Sequence, residues 1–562
     1  MPLYLGLDCS TQSLTAIVLD VDDADDAGGA GRADGAGGAG GAGGAAGRRA
    51  VVLERSLEFD RALPSYGTTH GVLTSADPRV VTAPPALWAD ALDHLLGAIA
   101  ASGLDLSRLA AIAGSAQQHG SVYLDATAAD VWRSLDPARP IGGQIADTFS
   151  RPVSPVWMDT STTVECEEIT QAMGGAARVA AITGSRAFER FTGPQIRRFW
   201  KTDPAGYART DRIHLVSSFL ASLLTGAHAP LDPGDASGMT LMDLTASRWS
   251  PDALAATAPD LARRLPAIVP APTVVGTLAP YWRARHGLPA ASVVAWSGDN
   301  PSSLVGLGLV RAGMLGLSLG TSDVVFGPLA EVRVDPAGTG HVFGAPIGGV
   351  MGLTVFRNGS LARERVRDAC GLDWAGFSAA LAASPPGNRG ALMLPWFEPE
   401  ITPHVPRGGA RTRGLDETDR RDGRDGRDEP GVAARVRAVV EGQMASMATH
   451  AAWMGLDVRT IHATGGASAN REILQVMADV FDADVLRFET TNAACLGAAL
   501  RAFHAHARAR GRAVDWPDVV QGVAEPVAAS RVRPDPAGVR ASLGMRREWQ
   551  EFERAELRTR RG

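Results

Sequence analysis

Gly6-Leu7-Asp8-Cys9-Ser10-Thr11-Gln12-Ser13 aligns with Gly316-Leu317-Ser318-Leu319-Gly320-Thr321-Ser322-Asp323 when the chain is slid against itself by about 310 residues. Each octet is preceded by apolar residues and followed by an apolar stretch, 14–19 in the first case and 324–326 in the second. Two short apolar strands around a hydroxyl-rich turn predict a hairpin. A glycine-, serine- and threonine-rich turn of this size can present backbone N–H groups to a phosphate. Two copies of the element predict two related domains, each opening with the same phosphate-sized turn.

Working outward, the second half alternates helix and strand. Val436, Val440, Met444, Met447, Ala451 and Met454 step by three or four residues, the buried face of a helix that ends at Gly455. An apolar strand at 460–463 then runs into Thr464-Gly465-Gly466-Ala467-Ser468, followed by a helix with Ile473, Val476, Met477 and Val480 on one side. Open α/β sheets bind ligands at such carboxyl ends of strands. The same design precedes it at 293–296, a buried strand leading into Ser297-Gly298-Asp299-Asn300-Pro301 with the proline in a helical first turn. Two tracts interrupt the pattern. Residues 22–47, mostly Asp, Ala and Gly, and the Arg/Asp/Gly tract 411–431 hold too little apolar surface to offset the entropy of ordering. Both are expected to be solvated, disordered insertions, the first at the tip of a hairpin whose third strand resumes at 51–57.

Composition narrows the chemistry. A chain of 562 residues is long for one core and predicts two to four compact units. Its 45% hydrophobic and 21% charged residues have the balance of a soluble globular protein, and a net charge of −6 gives no basic field for nucleic acid. Four cysteines at 9, 166, 370 and 495 form no paired metal spacing and no disulfide framework. No run is apolar enough for a membrane span or ordered like a signal peptide, so a cytosolic setting is expected. Of the 55 basic residues only Lys201 is lysine, and it sits in FWKTDP. A P-loop needs Gly-Lys-Ser/Thr, so P-loop and protein-kinase chemistry are excluded. Any nucleotide must be held by glycine and hydroxyl turns with a metal.

Several side chains are candidates for chemistry. Asp8, followed by hydroxyls at 10, 11 and 13, can serve Mg²⁺ or can be an ordinary turn aspartate. Gly320 and Thr321 can meet an anion or merely form a turn. Asp299, at a strand end and a helix start, can accept a proton from an attacking hydroxyl or can cap the helix; the helix N-terminus should keep it ionised. Gln117-Gln118-His119-Gly120 suits a polyol, although a lone turn histidine also serves structure. His504 and His506, two apart in a helix, point to different faces and are expected at the surface. Gly465-Gly466 with Asn470 can admit an adenosine.

In this order the pieces resemble the FGGY family of carbohydrate kinases, of the actin/hexokinase-like ATPases. The resemblance lies in GSAQQHGSVYLD (114–125), SPVWMDTSTT (154–163), GSRAFERFTGPQI (184–196), RIHLVSSFLASLLTG (212–226), WSGDNPSSLVGL (296–307), LSLGTSDVVF (317–326), FRNGSLARERVRD (356–368) and ATGGASANREILQVMADVFDADV (463–485). It covers the chain apart from the two insertions. It implies an α/β fold of two actin/hexokinase-like (ribonuclease H-like) domains around a central cleft, a sugar-binding domain at 1–296 and a nucleotide-binding domain at 297–562. It implies ATP and Mg²⁺ as cofactors and transfer of phosphoryl to a ketose, D-xylulose, with ribulose, glycerol or a catalytically silent sugar-binding role as alternatives. Asp299 would be the general base. His119, Arg190, Asp299 and Asn300 would contact the sugar, and Asp8 would serve the metal. Thr11, Gly320 and Thr321 would meet phosphates, and Trp374, Gly465, Gly466 and Asn470 would cradle adenosine. Asp235 of DPGDASGM matches a segment near the sugar site without an assigned role. Many family members carry a basic residue just after the first turn, where this chain has Thr15, so an arginine from elsewhere, Mg²⁺ or backbone amides must meet the phosphate charge. No membrane or nucleic-acid partner is implied, only the small-molecule substrates D-xylulose and ATP, and the oligomeric state is left open.

Overall fold

Both octets fold as hairpins. Strands β1 (Leu3–Cys9) and β2 (Ser13–Asp22) pair antiparallel with Cys9 opposite Leu14, and Ser10 N–H closes the turn on the Ser13 carbonyl at 3.0 Å. The chain returns as β3 (Arg48–Glu58) beside β2. The computed structural model describes residues 1–22, 48–415, 429–489 and 492–561. Of the first predicted insertion, Asp22 ends β2, and residues 23–47 lie outside the described residues.

Strand β4 (Leu109–Ala116) runs parallel to β1, and β5 (Val274–Thr277) and β6 (Ser292–Val294) extend the sheet to the order β5-β6-β4-β1-β2-β3. A short β7 (Ser297–Gly298) rejoins β4. The second hairpin is β8 (Met314–Leu319) and β9 (Asp323–Leu329), with Leu319 opposite Asp323. With β10 (His341–Gly344), β11 (Val350–Phe356), β12 (Thr460–Thr464) and β13 (Asp484–Arg487) it forms a second sheet of order β10-β11-β9-β8-β12-β13. The series β3-β2-β1-β4-β6 and β11-β9-β8-β12-β13 share both order and strand direction. The repeat seen in eight residues therefore extends to two whole ribonuclease H-like sheets. Asp8, Gln117, Asp299, Gly320 and Gly465 all lie at or just beyond carboxyl ends of strands.

The helices that place the site are α1 (Thr192–Thr202), α2 (Asp299–Gly306), α3 (Ser360–Ala369), α4 (Trp374–Ala383), α5 (Glu429–His450), α6 (Arg471–Phe481) and α7 (Ala493–Ala509). The expected apolar face of α5 is buried at Val436, Val440, Met444 and Met447, and a short 3₁₀ turn, Ala452–Met454, completes the run to Gly455. The tract 411–431 is only partly as expected. Arg411–Arg413 pairs antiparallel with the strand Leu392–Leu394, and α5 begins at Glu429; residues 416–428 lie outside the described residues. An edge strand needs only backbone pairing, so its exposed arginines are no obstacle. The expectation for the two histidines also fails. His504 is buried with its ring 4.1 Å from that of Trp516, and His506 Nδ1 lies 3.1 Å from the Tyr4 hydroxyl.

Helix α7 belongs in sequence to the second half yet packs on β1 and β4 of the first sheet and crosses α2. The crossing is backbone on backbone. A Cβ on Gly306 would sit 1.8 Å from the Ala493 carbonyl oxygen, and one on Gly497 1.9 Å from that of Ser302. Below it, Arg501 is buried and donates to the Gly114 and Ala295 carbonyls at 3.1 and 2.7 Å, with Asp232 at 3.5 Å. Gly497→Val must push the helices apart. Overpacking of this kind costs about 1–3 kcal/mol or more, so the denaturation midpoint should fall clearly; a parent-like midpoint would contradict the packing.

Candidate active site

Where β7 ends, the chain turns into α2, and Asp299 is the first helical residue, with Gly298 in the N-cap position. Asp299 is therefore not the cap. Its Oδ1 accepts from the Asn300 N–H at 2.7 Å and from Asn300 Nδ2 at 3.0 Å, and Asn300 Nδ2 also donates to Gln118 Oε1 at 2.9 Å. Burial pushes the Asp299 carboxyl up to about 6, against the pull of these N–H groups. The helix terminus alone does not hold it in the ordinary range.

Asp8 stands opposite Ser115 in the β1–β4 register, and Ser115 Oγ donates to it. Burial and the nearby Asp299 charge raise Asp8 to about 7, with the Ser115 hydrogen bond opposing. Two carboxylates that repel each other are short of positive charge, which favours a cation. Among the described residues no three His, Cys, Asp or Glu side chains gather as a cage. Asp8 would hold a hard cation such as Mg²⁺ together with oxygens from water or a bound ligand.

His119 has a left-handed backbone (φ 74°), its ring stacks on Phe191 at 4.2 Å, and Nδ1 meets the Gly238 carbonyl at 2.7 Å. A carbonyl only accepts, so Nδ1 carries the proton and Nε2 remains an acceptor. Burial, with the Arg190 charge, lowers its pKa to about 3, so the ring stays neutral. Both readings of this histidine are compatible with the geometry: it is anchored, and one nitrogen is left over. Arg190 is partly buried near the Phe188 ring, 5.7 Å from its centroid. Burial lowers its pKa, and Arg186 and Arg357 push the same way. Behind this cluster, Asp235 is fully buried, accepts from Ser217 Oγ, and is held well above the carboxylate range by burial and by the charges of Asp232 and Asp299.

A separate cavity of about 720 Å³ opens between β8, α3, α4 and the start of α6. Gly320, Thr321, Trp374, Gly466 and Asn470 line it. Gly465 is not among the lining residues; it is pressed against β8, with φ 83° and a Cβ that would fall 2.4 Å from the Leu319 carbonyl oxygen. Trp374 is 44% exposed, with the Arg367 guanidinium 4.5 Å from its ring. Asn470 caps α6 through Oδ1 and donates to Ser378 Oγ at 2.7 Å. The volume lies in the range of small-molecule pockets. Thr11 does not line this cavity; its hydroxyl accepts from Trp157 Nε1 at 2.8 Å beside the first turn. Thr15 is buried and bonded to Ser56 Oγ at 3.0 Å. Gln118 was noted with Gln117 and His119 as suited to a polyol; Ser115, Trp157, Ser360 and Ser378 were given no role from sequence, although Ser115 and Trp157 stand in the quoted GSAQQHGSVYLD and SPVWMDTSTT segments. Their partners are distant in the chain, although Ser360 stands in the noted FRNGSL segment.

Residues 144–306 match the N-terminal domain, and residues 315–506 the C-terminal domain, of the FGGY family of carbohydrate kinases. The chain belongs to that family. A Mus musculus xylulose kinase is 42% identical over 88% of both chains, and an Arabidopsis thaliana xylulose kinase 2 is 40% identical over 89% of this chain and 87% of its own. A crystal structure of a Rhodospirillum rubrum xylulose kinase superposes with a TM-score of 0.78 over the full length of both chains at 20% identity, which establishes the shared fold. This FGGY protein is thus a carbohydrate kinase with two actin/hexokinase-like lobes. Among its described residues no helix is long and apolar enough to cross a membrane.

The raised pKa of Asp299 has a thermodynamic consequence for this kinase. The folded state binds the proton more tightly than the unfolded chain, so the contribution to stability is present at low pH and is lost as pH rises through about 6. Asp299→Asn should therefore raise stability in urea at pH 8, and the gain should shrink as pH falls towards 4. An equal or larger gain at pH 4 would contradict the burial penalty.

Proposed function

We propose that the enzyme transfers the γ-phosphoryl group of ATP to the terminal hydroxyl of D-xylulose, giving D-xylulose 5-phosphate. The acceptor is supported by relatives named as xylulose kinases, at 40–42% identity over nearly nine-tenths of the chain. The chemistry is supported by one observation above all: a desolvated carboxylate at position 299, poised near neutrality at a strand end.

In this reading Asp299 accepts the hydroxyl proton as that oxygen attacks phosphorus, while His119, Arg190 and Asn300 orient the ketose. The neutral His119 offers Nε2 as an acceptor for a sugar hydroxyl. Trp374, Gly465, Gly466 and Asn470 hold the adenosine, and Gly320, Thr321 and Thr11 face the phosphates. Asp8 would help to hold Mg²⁺, which supplies charge neutralisation on the phosphoryl oxygens. We place the functional division between the lobes at 1–296 and 297–562, with α7 reaching back beneath the first sheet. Lobe closure would exclude water as a competing acceptor. We place the reaction in the cytosol, where the four free cysteines stay reduced.

Asp299→Asn should bind the ketose as the parent does and lose most turnover. A kcat within about tenfold of the parent, only ~1.4 kcal/mol, would remove Asp299 as the base. ADP release across a panel of D-xylulose, ribulose and glycerol, with Mg²⁺, tests the acceptor. D-xylulose should be preferred; preference for another acceptor, or no ADP with any, would reject the reading.

A further inference from the structure

The strongest unassigned group near the site is Arg357. It leaves the end of β11, where Phe356 pairs with Asp323 next to the Gly320–Thr321 turn. Two residues later a Cβ on Gly359 would lie 2.6 Å from the Gly320 carbonyl oxygen and 2.7 Å from that of Thr321, and Ser360 N–H donates to Gly320 at 2.7 Å. The backbone of this loop is also clamped from outside. Glu400 accepts from the Arg357 N–H at 2.6 Å, from the Asn358 N–H at 3.2 Å and from Asn358 Nδ2 at 2.7 Å. That carboxylate is spent on N–H groups, and the exposed Arg357 guanidinium has no ion pair among the described residues.

The one arginine lining the nucleotide cavity is not free to meet phosphate. Arg363, which lines the nucleotide cavity, is buried and committed to Asp323 at 3.0 and 3.2 Å and to Gln443 at 2.9 Å. Asp8, Asp299 and Glu364 add only negative charge. Across the cleft, Arg357 acts on the charge of Arg190 of the first lobe, as Arg186 does, and the Glu189 carboxylate counters both.

The geometry points to Arg357 as a phosphate-contacting residue of the second lobe, carried against the terminal phosphoryl group of the nucleotide as the lobes close. Closure is then coupled to a loaded nucleotide. This rests on the kinase reading above and assigns a residue that reading leaves unused.

Calorimetry of AMP-PNP and of ADP, each with Mg²⁺ and with or without D-xylulose, tests the assignment in the full chain. Arg357→Gln should weaken AMP-PNP at least tenfold and leave ADP within threefold of the parent, and Arg357→Lys should fall between. An unchanged melting temperature is expected, since the side chain is exposed. AMP-PNP affinity within threefold of the parent in both arms, or equal weakening of ADP, overturns the proposal. Failure of the acceptor assignment would instead show as a parent enzyme inactive on D-xylulose, an independent result.

Discussion

The contact of Gly306 with Ala493 and of Gly497 with Ser302, where α2 and α7 cross without side chains between them, is the constraint on which the site depends. Asp299 is the first residue of α2, so its position follows from where that helix is pressed. A third close approach, Gly6 of β1 against the Cys495 carbonyl, fixes α7 on the strand that carries Asp8. One helix from late in the chain thus sets the spacing of Asp8 and Asp299. Arg501 extends the same arrangement by binding the carbonyls of Gly114 in β4 and of Ala295, just after β6.

Electrostatics then determine what the carboxylates do. Desolvation is the largest influence on both Asp8 and Asp299, and it exceeds the hydrogen bonds that favour their ionised forms. Mutual repulsion raises Asp8 further. A cluster of this kind costs stability and suits a site that receives a cation and a proton during its work. Behind the cleft, Arg501, paired with Asp232, offsets part of the negative charge of Asp232 and Asp235.

Much of the architecture was legible because local pattern and topology agree. The two hydroxyl turns, the four-and-three stepping of α5 and the glycine turn before α6 each carry their own signal. Other features were not legible, for tertiary reasons. The run 293–296 looks like one strand, but the Trp296 ring occupies the space where a Gly114 side chain would be, and the strand breaks before Ser297. His504 was expected at the surface because spacing assumes one covered helix face. α7 lies between a sheet, another helix and the segment bearing Trp516, so more than one face is covered. The Ser115–Asp8 and Gln118–Asn300 links join residues more than a hundred positions apart, which no local motif reveals. The clustering of Gly320, Thr321, Trp374, Gly466 and Asn470 around one cavity was implied by the family resemblance, and the structure brings them together; their roles towards ATP remain our proposal.

A crystal structure of the enzyme with D-xylulose, ADP, Mg²⁺ and aluminium fluoride tests the central claim most directly. The account predicts an Asp299 carboxylate oxygen about 2.6–3.2 Å from the terminal hydroxyl, with the fluoride group in line between that hydroxyl and ADP. A terminal hydroxyl out of reach of Asp299, or directed towards another base, would contradict it.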